Sequence, residues 1–183
     1  MRRSLVLDQS TTTVGYAIVA EDPETLVSFG VTGRLIQHGV IETPRVGLLD
    51  RLNVIRADLR ELISTYKPDE MVIENTMFIA QRSGQTAHAM AAIYALCQEI
   101  AKERNLDFYT QNPRTIKKLL TSDGSADKAE VTEVVKRVWG LSQYQIIDDN
   151  HADALAAAYV WLYRGEDVRA EKALKSQRKR RRV

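Results

Sequence analysis

Two short runs without a polar residue, Leu5-Val6-Leu7 and Met71-Val72-Ile73, each end in a carboxylate, Asp8 and Glu74. Runs of this kind predict short buried strands. A buried strand tolerates Asp or Glu only when the charge is paired or binds a cation. A third acid, Asp153, lies in Asp148-Asp149-Asn150-His151-Ala152-Asp153-Ala154-Leu155, where a helix begins. In an open α/β sheet, functional groups gather beyond the carboxyl ends of the strands. Carboxylates delivered to one edge from remote segments repel one another and raise their own pKa values unless a cation neutralises them. Oxygen-only ligands suit hard divalent ions such as magnesium or manganese, so the pattern points to metal-assisted phosphodiester chemistry.

Each acid has a competing structural reading. Asp8 and Glu74 would serve as hydrogen-bonded strand-end carboxylates, Asp148 to Asn150 as helix N-caps, and Asp153 as a charge opposing the helix dipole. Asp149 and Asp153 are four apart, and Asn150 and Asp153 three apart, and either spacing shares one helical face. His151 reads as a ligand, a base or an exposed first-turn residue. His38 and His88 read as structural or solvent-exposed.

Along the chain, strands are expected over 4–8, 15–20 and 33–42, joined by polar turns with a loop at Glu21-Asp22-Pro23-Glu24. Apolar residues at Leu49, Leu52, Ile55, Leu59, Leu62 and Ile63 give helical spacing over 48–66. A strand over 71–74, a helix over 83–103 and a strand at Phe108-Tyr109 follow. Helices are then expected near 113–120, 126–139 and 151–164. Strands first, then helices alternating with strands, imply an α/β fold with a mixed sheet and helices on its faces.

At 183 residues the chain is one domain in size. The only cysteine, Cys97, excludes an internal disulfide, fits a reducing compartment and reads as a buried, inert thiol. No signal peptide or membrane-spanning run is expected. From Arg164 onward there are 9 basic and 3 acidic residues, so the net charge of +2 conceals an acidic body. The basic run Arg178-Lys179-Arg180-Arg181-Arg182 reads either as a disordered solvated end or as a source of affinity for a phosphate backbone. The expected division is a domain over 1–164 and a tail over 165–183.

From residue 4 to about 163 these segments resemble the RuvC family of Holliday-junction resolvases, within the ribonuclease H-like superfamily. Leu7-Asp8-Gln9-Ser10 is similar to the family's first acidic segment, Ile73-Glu74-Asn75 to its second and Asp153-Ala154-Leu155-Ala156 to its final acidic helix. Gly124-Ser125-Ala126-Asp127-Lys128 is similar to a segment carrying a phosphate-contacting lysine, and Lys117 stands where a second is expected. Two positions depart from the pattern. Asn150 stands where a partner acid is usual, which leaves Asp149 to take that role, with Asn150 and His151 as auxiliaries. Gln9-Ser10 replaces the usual Pro-Gly.

The resemblance implies a ribonuclease H-like, five-stranded mixed sheet and a structure-selective endonuclease. Asp8, Glu74, Asp149 and Asp153 would hold two Mg2+ or Mn2+ ions per site, with Asp8 bridging. Lys117 and Lys128 would contact phosphates, and Met77, Phe78 and Arg82 would meet unstacked bases. The implied substrate is a four-way DNA junction, nicked in pairs to leave 5′ phosphates in the cytoplasm, on nucleoid or phage DNA. A homodimer through residues 83–103 would match the junction's symmetry. The alternatives are a nuclease for RNA–DNA hybrids or other branched DNA, a non-catalytic junction binder, and a sugar kinase, for which Asp8-Gln9-Ser10-Thr11-Thr12 is the cue and the chain is too short.

Overall fold

The computed structural model describes residues 1–10, 12–44, 47–75 and 84–180. Five strands form one sheet in the order β5-β2-β1-β6-β7: β1 (Arg3–Gln9), β2 (Thr13–Ala20), β5 (Arg34–Glu42), β6 (Glu70–Glu74) and β7 (Asp107–Gln111). The first three pair antiparallel as a meander, whereas β1, β6 and β7 run parallel. Parallel neighbours need crossovers, which α1 (Leu48–Tyr66) and α2 (Gly84–Glu103) supply. A small hairpin, β3 (Leu26–Ser28) with β4 (Val31–Thr32), interrupts the β2–β5 connection. The sequence reading placed no strand there, because these pieces are too short to show a period.

Side chains alternate across a strand, and that alternation sorts the core into two layers. Leu5, Leu7, Met71 and Ile73 pack with Ile55, Leu59, Ile93, Cys97 and Ile100 of α1 and α2. Val6 and Val72 pack instead with Ile116, Val131, Val135 and Leu155. Those residues come from α3 (Pro113–Thr121), α4 (Lys128–Trp139) and α5 (Asp149–Arg180). Helices therefore cover both faces, as expected. The Cys97 thiol is fully buried and pushed up to about 12 by that burial, which makes it inert near neutral pH.

Helix α5 is longer than the expected 151–164 and runs on to Arg180. The extension is tied down by side chains that the charge count alone does not single out. Arg169 pairs with Glu21 and, at 2.9 Å, with the fully buried Glu70. Glu70 also accepts from Ser4 (2.6 Å), Trp161 Nε1 (2.7 Å) and Arg2 Nε (2.9 Å). Lys172 Nζ lies 4.1 Å from the centroid of the Tyr109 ring. Glu70 opens β6 while Glu74 closes it, so this anchor holds α5 at the end of the sheet away from the carboxyl ends of β1 and β6.

Candidate active site

Leu7 of β1 pairs with Ile73 of β6, so Asp8 and Glu74 follow one residue later on adjacent parallel strands. Both fall on the Val6 and Val72 face, the face covered by α5. Asp153 lies in the first turns of α5, and the three acids line one pocket of about 60 Å³ together with Lys117, Pro113, Ile116 and Val131. The sequence separated these carboxylates by up to 145 positions, and the sheet register brings them together. A larger cleft of about 360 Å³, walled by Tyr16, Gln37, Asp58, Glu61 and Tyr66, lies beside α1 and holds none of them.

The pocket is short of positive charge. Burial holds the Asp8 carboxyl well above the usual range, and the charges of Glu74 and Asp153 and a hydrogen bond with Glu74 add to the rise. Asp153 is pushed up to about 6, chiefly by burial and then by Glu74, against the pull of Lys128 and Lys117. Like charges in a low-dielectric cleft either share protons or take up a cation. Among the described residues no three acidic, imidazole or thiol groups already form a closed cage. The all-oxygen donor set and its only partly relieved repulsion nevertheless fit a hard divalent ion.

Two lysines border the acids. Lys117 Nζ donates to the Ala126 carbonyl at 2.7 Å, which ties α3 to the turn before α4. Lys128 starts α4 just after Asp127, whose capping box with Glu130 fixes that terminus. Its ammonium bonds Asp149 Oδ2 at 2.7 Å, with the two side chains 64% and 58% exposed. Asp149, the fourth expected acid, therefore sits at the rim on a lysine and does not line the pocket of the other three. Met77, Phe78 and Arg82 lie outside the described residues.

Neither Asn150 nor His151 lines the pocket of the three acids. The Asn150 amide donates to Thr13 Oγ1 at the start of β2. Of the readings open for His151, an exposed first-turn residue is overturned, since it is 1% exposed, and His38 takes the structural one of its two. His38 Nδ1 and His151 Nε2 lie 2.7 Å apart. The Ile147 amide donates to His151 Nδ1 at 3.1 Å, and the His151 amide donates to the Asp148 side chain at 2.8 Å. Since Nδ1 accepts, His151 carries its proton on Nε2 and donates it to His38. Asp148 was among the N-cap candidates, but nothing local in the sequence paired His151 with His38. Gly15 was legible in principle, because a glycine inside a strand marks close backbone approach; the Asn150 carbonyl packs directly on it.

The imidazole pair makes a testable prediction. Burial and then His38 lower His151 to about 4, and burial lowers His38. The unfolded chain therefore binds more protons than the folded one between about pH 6.5 and 4. The pair's stabilising contribution is complete above that window and is lost as pH falls through it. Imidazole 15N shifts are expected to show His151 neutral at pH 5.5, with its proton on Nε2; a His151 that titrates near 6.5 would contradict this.

The fold and the acidic pocket define a ribonuclease H-like nuclease, and comparison with known proteins narrows the class. The family model described as Crossover junction endodeoxyribonuclease RuvC matches residues 5–161. Curated relatives of that name include those of Rubrobacter xylanophilus, 31% identical over 84% of this chain and 81% of its own length, and Histophilus somni, 32% identical over 84% and 76%. Among solved structures, Thermus thermophilus RuvC superposes with a TM-score of 0.73 at 24% identity, covering 90% of this chain and 95% of that one. The yeast mitochondrial Holliday junction resolvase superposes at 0.64 and 13% identity, covering 96% and 84%. Both likenesses concern the fold. The chain belongs to the RuvC family of crossover junction endodeoxyribonucleases, and that membership makes it a nuclease dependent on divalent metal.

Proposed function

We propose that this protein resolves four-way DNA junctions by nicking two strands of like polarity in turn, leaving 5′ phosphates. The observation that carries the reading is the shared pocket of Asp8, Glu74 and Asp153 beside Lys117, in a chain of this family. A Thermus thermophilus relative with the same fold was solved with a Holliday junction substrate, which supports the choice of substrate.

Asp8, Glu74 and Asp153 would hold two Mg2+ or Mn2+ ions. Asp149 would complete the set by exchanging its lysine for metal, and Asn150 and His151 would act only as supports. Bound divalent ions supply a water that is acidic enough to react at neutral pH and a charge to stabilise the leaving 3′ oxygen. Lys117 and Lys128 border the acids on the phosphate side, where each would hold a non-bridging oxygen and set the strand's register without reading bases. The Asp149 charge holds Lys128 beside the pocket until a phosphate competes for it. Ile116, Val131 and Ala156 wall the inner side of the pocket and keep bulk water from the acids. This work takes place where the enzyme meets chromosomal or phage DNA, in the cytoplasm.

Paired nicks require two sites, and α2 offers a surface for a second copy. Its Met90, Ile93, Cys97 and Ile100 face the core, while Ala91 and Ala95 are exposed and Ala87 and Tyr94 are partly covered. That small-residue stripe permits close helix approach across a two-fold axis.

The test is cleavage of a synthetic four-way junction with Mg2+, beside a linear duplex and an RNA–DNA hybrid of the same sequence. Paired nicks in the junction and none in the duplex are expected. Preferential cutting of the hybrid, or tight junction binding with no cleavage in Mg2+ or Mn2+, would overturn the proposal.

A further inference from the structure

A second surface beside the pocket is built from charge that the protein itself leaves uncompensated. A groove of about 730 Å³ lies between α3, the turn over 122–127 and α5, and Arg114, Lys118 and Arg164 wall it with Thr115 and Ser125. No acidic side chain among the described residues lines it. Among the described residues, Arg2, Arg34, Arg56, Arg60 and Arg169 all sit on carboxylates, whereas the side chains of Arg114, Lys118 and Arg164 make no ion pair or hydrogen bond. The nearest acid in sequence, Asp123, is turned into its own loop, where it accepts from the Ser125 amide at 2.8 Å and the Ser125 hydroxyl at 2.7 Å.

Helix α3 separates this groove from the acidic pocket. Pro113, Ile116 and Lys117 wall the pocket, while Arg114, Thr115 and Lys118 wall the groove. Arg114 and Lys118 are four apart and share a helical face. An α-helix is about 10–12 Å across with its side chains, so the two sites lie roughly one helix-width apart. Arg164 is eleven residues beyond Asp153 on α5, about 16 Å of helix. The groove thus lies across α3 from the acids and is walled by different residues.

We propose that this groove is a second phosphate-binding site, in which Arg114, Lys118 and Arg164 grip the backbone of the duplex arm flanking the cut. The inference rests on the nuclease reading above. Guanidinium groups take phosphate oxygens in a bidentate fork. Contacts of this kind fix affinity and register and leave the choice of base pairs free.

The experiment measures the dissociation constant of a labelled four-way junction, and of one of its arms as linear duplex, across a KCl series without divalent metal. Wild type is compared with R114Q/K118Q/R164Q and with the charge-keeping R114K/R164K. Each lost phosphate contact lowers the slope of log affinity against log salt by about 0.9. The triple variant is expected to lose roughly 2.7 from the slope and to bind at least about tenfold more weakly at 0.15 M salt, with an unchanged melting curve. The charge-keeping variant keeps the slope. A triple variant with the wild-type slope would overturn the groove assignment. So would a charge-keeping variant that loses the slope as fully as the triple, since the effect would then not be electrostatic. Wild type that binds junction no better than duplex would instead defeat the junction reading, and the duplex series would still decide the groove.

Discussion

Replacing Asp8 by Asn is expected to abolish cleavage, on the order of a thousandfold or about 4 kcal/mol of barrier, while making the metal-free protein more stable. The two effects share a cause. Asp8 is buried against Glu74 and Asp153, and its charge is disfavoured first by burial and then by those neighbours. An amide of the same shape removes that repulsion and still donates to Glu74, but it is a poor ligand for a hard cation. The carboxyls of Asp8 and Asp153 are raised on folding, so the folded state binds the extra protons. Their contribution to metal-free stability is favourable at acid pH and is lost as pH rises, for Asp153 between about pH 4 and 6. The imidazole pair acts with the opposite sign over an overlapping window, so the wild-type pH curve is a sum and D8N separates its parts. Each kcal/mol recovered raises the melting temperature of a chain this size by roughly 2–4 °C. Junction affinity is expected to change by no more than a few-fold, because phosphate contacts come from Lys117, Lys128 and the cations of the groove and not from Asp8. Thermal melts at pH 8 in EDTA, with cleavage and binding of one junction, check all three points. A D8N protein that melts below wild type and cuts normally would refute this explanation.

Gly15→Ala is expected to have the second-largest effect, although it touches no acid. An added Cβ would lie 1.9 Å from the Asn150 carbonyl oxygen and 2.4 Å from its carbon. Both are backbone atoms, so no side-chain rotation relieves the clash and the first turn of α5 must lift off β2. That shift strains the Asn150–Thr13 and His151–His38 contacts and carries Asp153 away from Asp8. Overpacking of this kind costs about 1–3 kcal/mol or more, and misplacing a catalytic group by about 1 Å costs roughly a hundredfold in rate. Gly84→Ala is the control, since a Cβ there meets nothing within 4 Å. Melting curves and single-turnover cleavage in saturating Mg2+ decide the matter. A Gly15→Ala protein matching wild type in both would show that the close approach of α5 does not position the acids.

The acidic triad was legible because its signal is physical and local. An apolar run ending in a carboxylate can only be a strand end with a reason to hold charge, and parity puts Asp8 and Glu74 on the face of Val6 and Val72. The helix over 48–66 was equally readable from its apolar spacing, and the one expected near 126–139 runs over 128–139. Other features depend on contacts that no local pattern encodes. The face shared by Asp149 and Asp153 could not reveal that Lys128 holds Asp149 at the rim. His151 stayed open between ligand, base and exposed first-turn residue because His38, its partner, is 113 positions away. That the last helix continues past residue 164 could not be read locally, since its anchors Glu70, Glu21 and Tyr109 belong to other segments. The groove cations were hidden for a related reason, because an unpaired arginine reads like a paired one until the fold shows which carboxylates are near.

The most direct test of the acidic pocket is Mn2+ binding, followed by the loss of the free-ion electron paramagnetic resonance signal during titration of the protein at pH 7.5. Wild type is expected to take up Mn2+ at a site that D8N and Asp153→Asn each weaken at least about tenfold, in step with their loss of cleavage. Uptake that is equal in all three proteins would mean that the ions bind elsewhere, and the assignment of Asp8, Glu74 and Asp153 as the catalytic centre would be wrong.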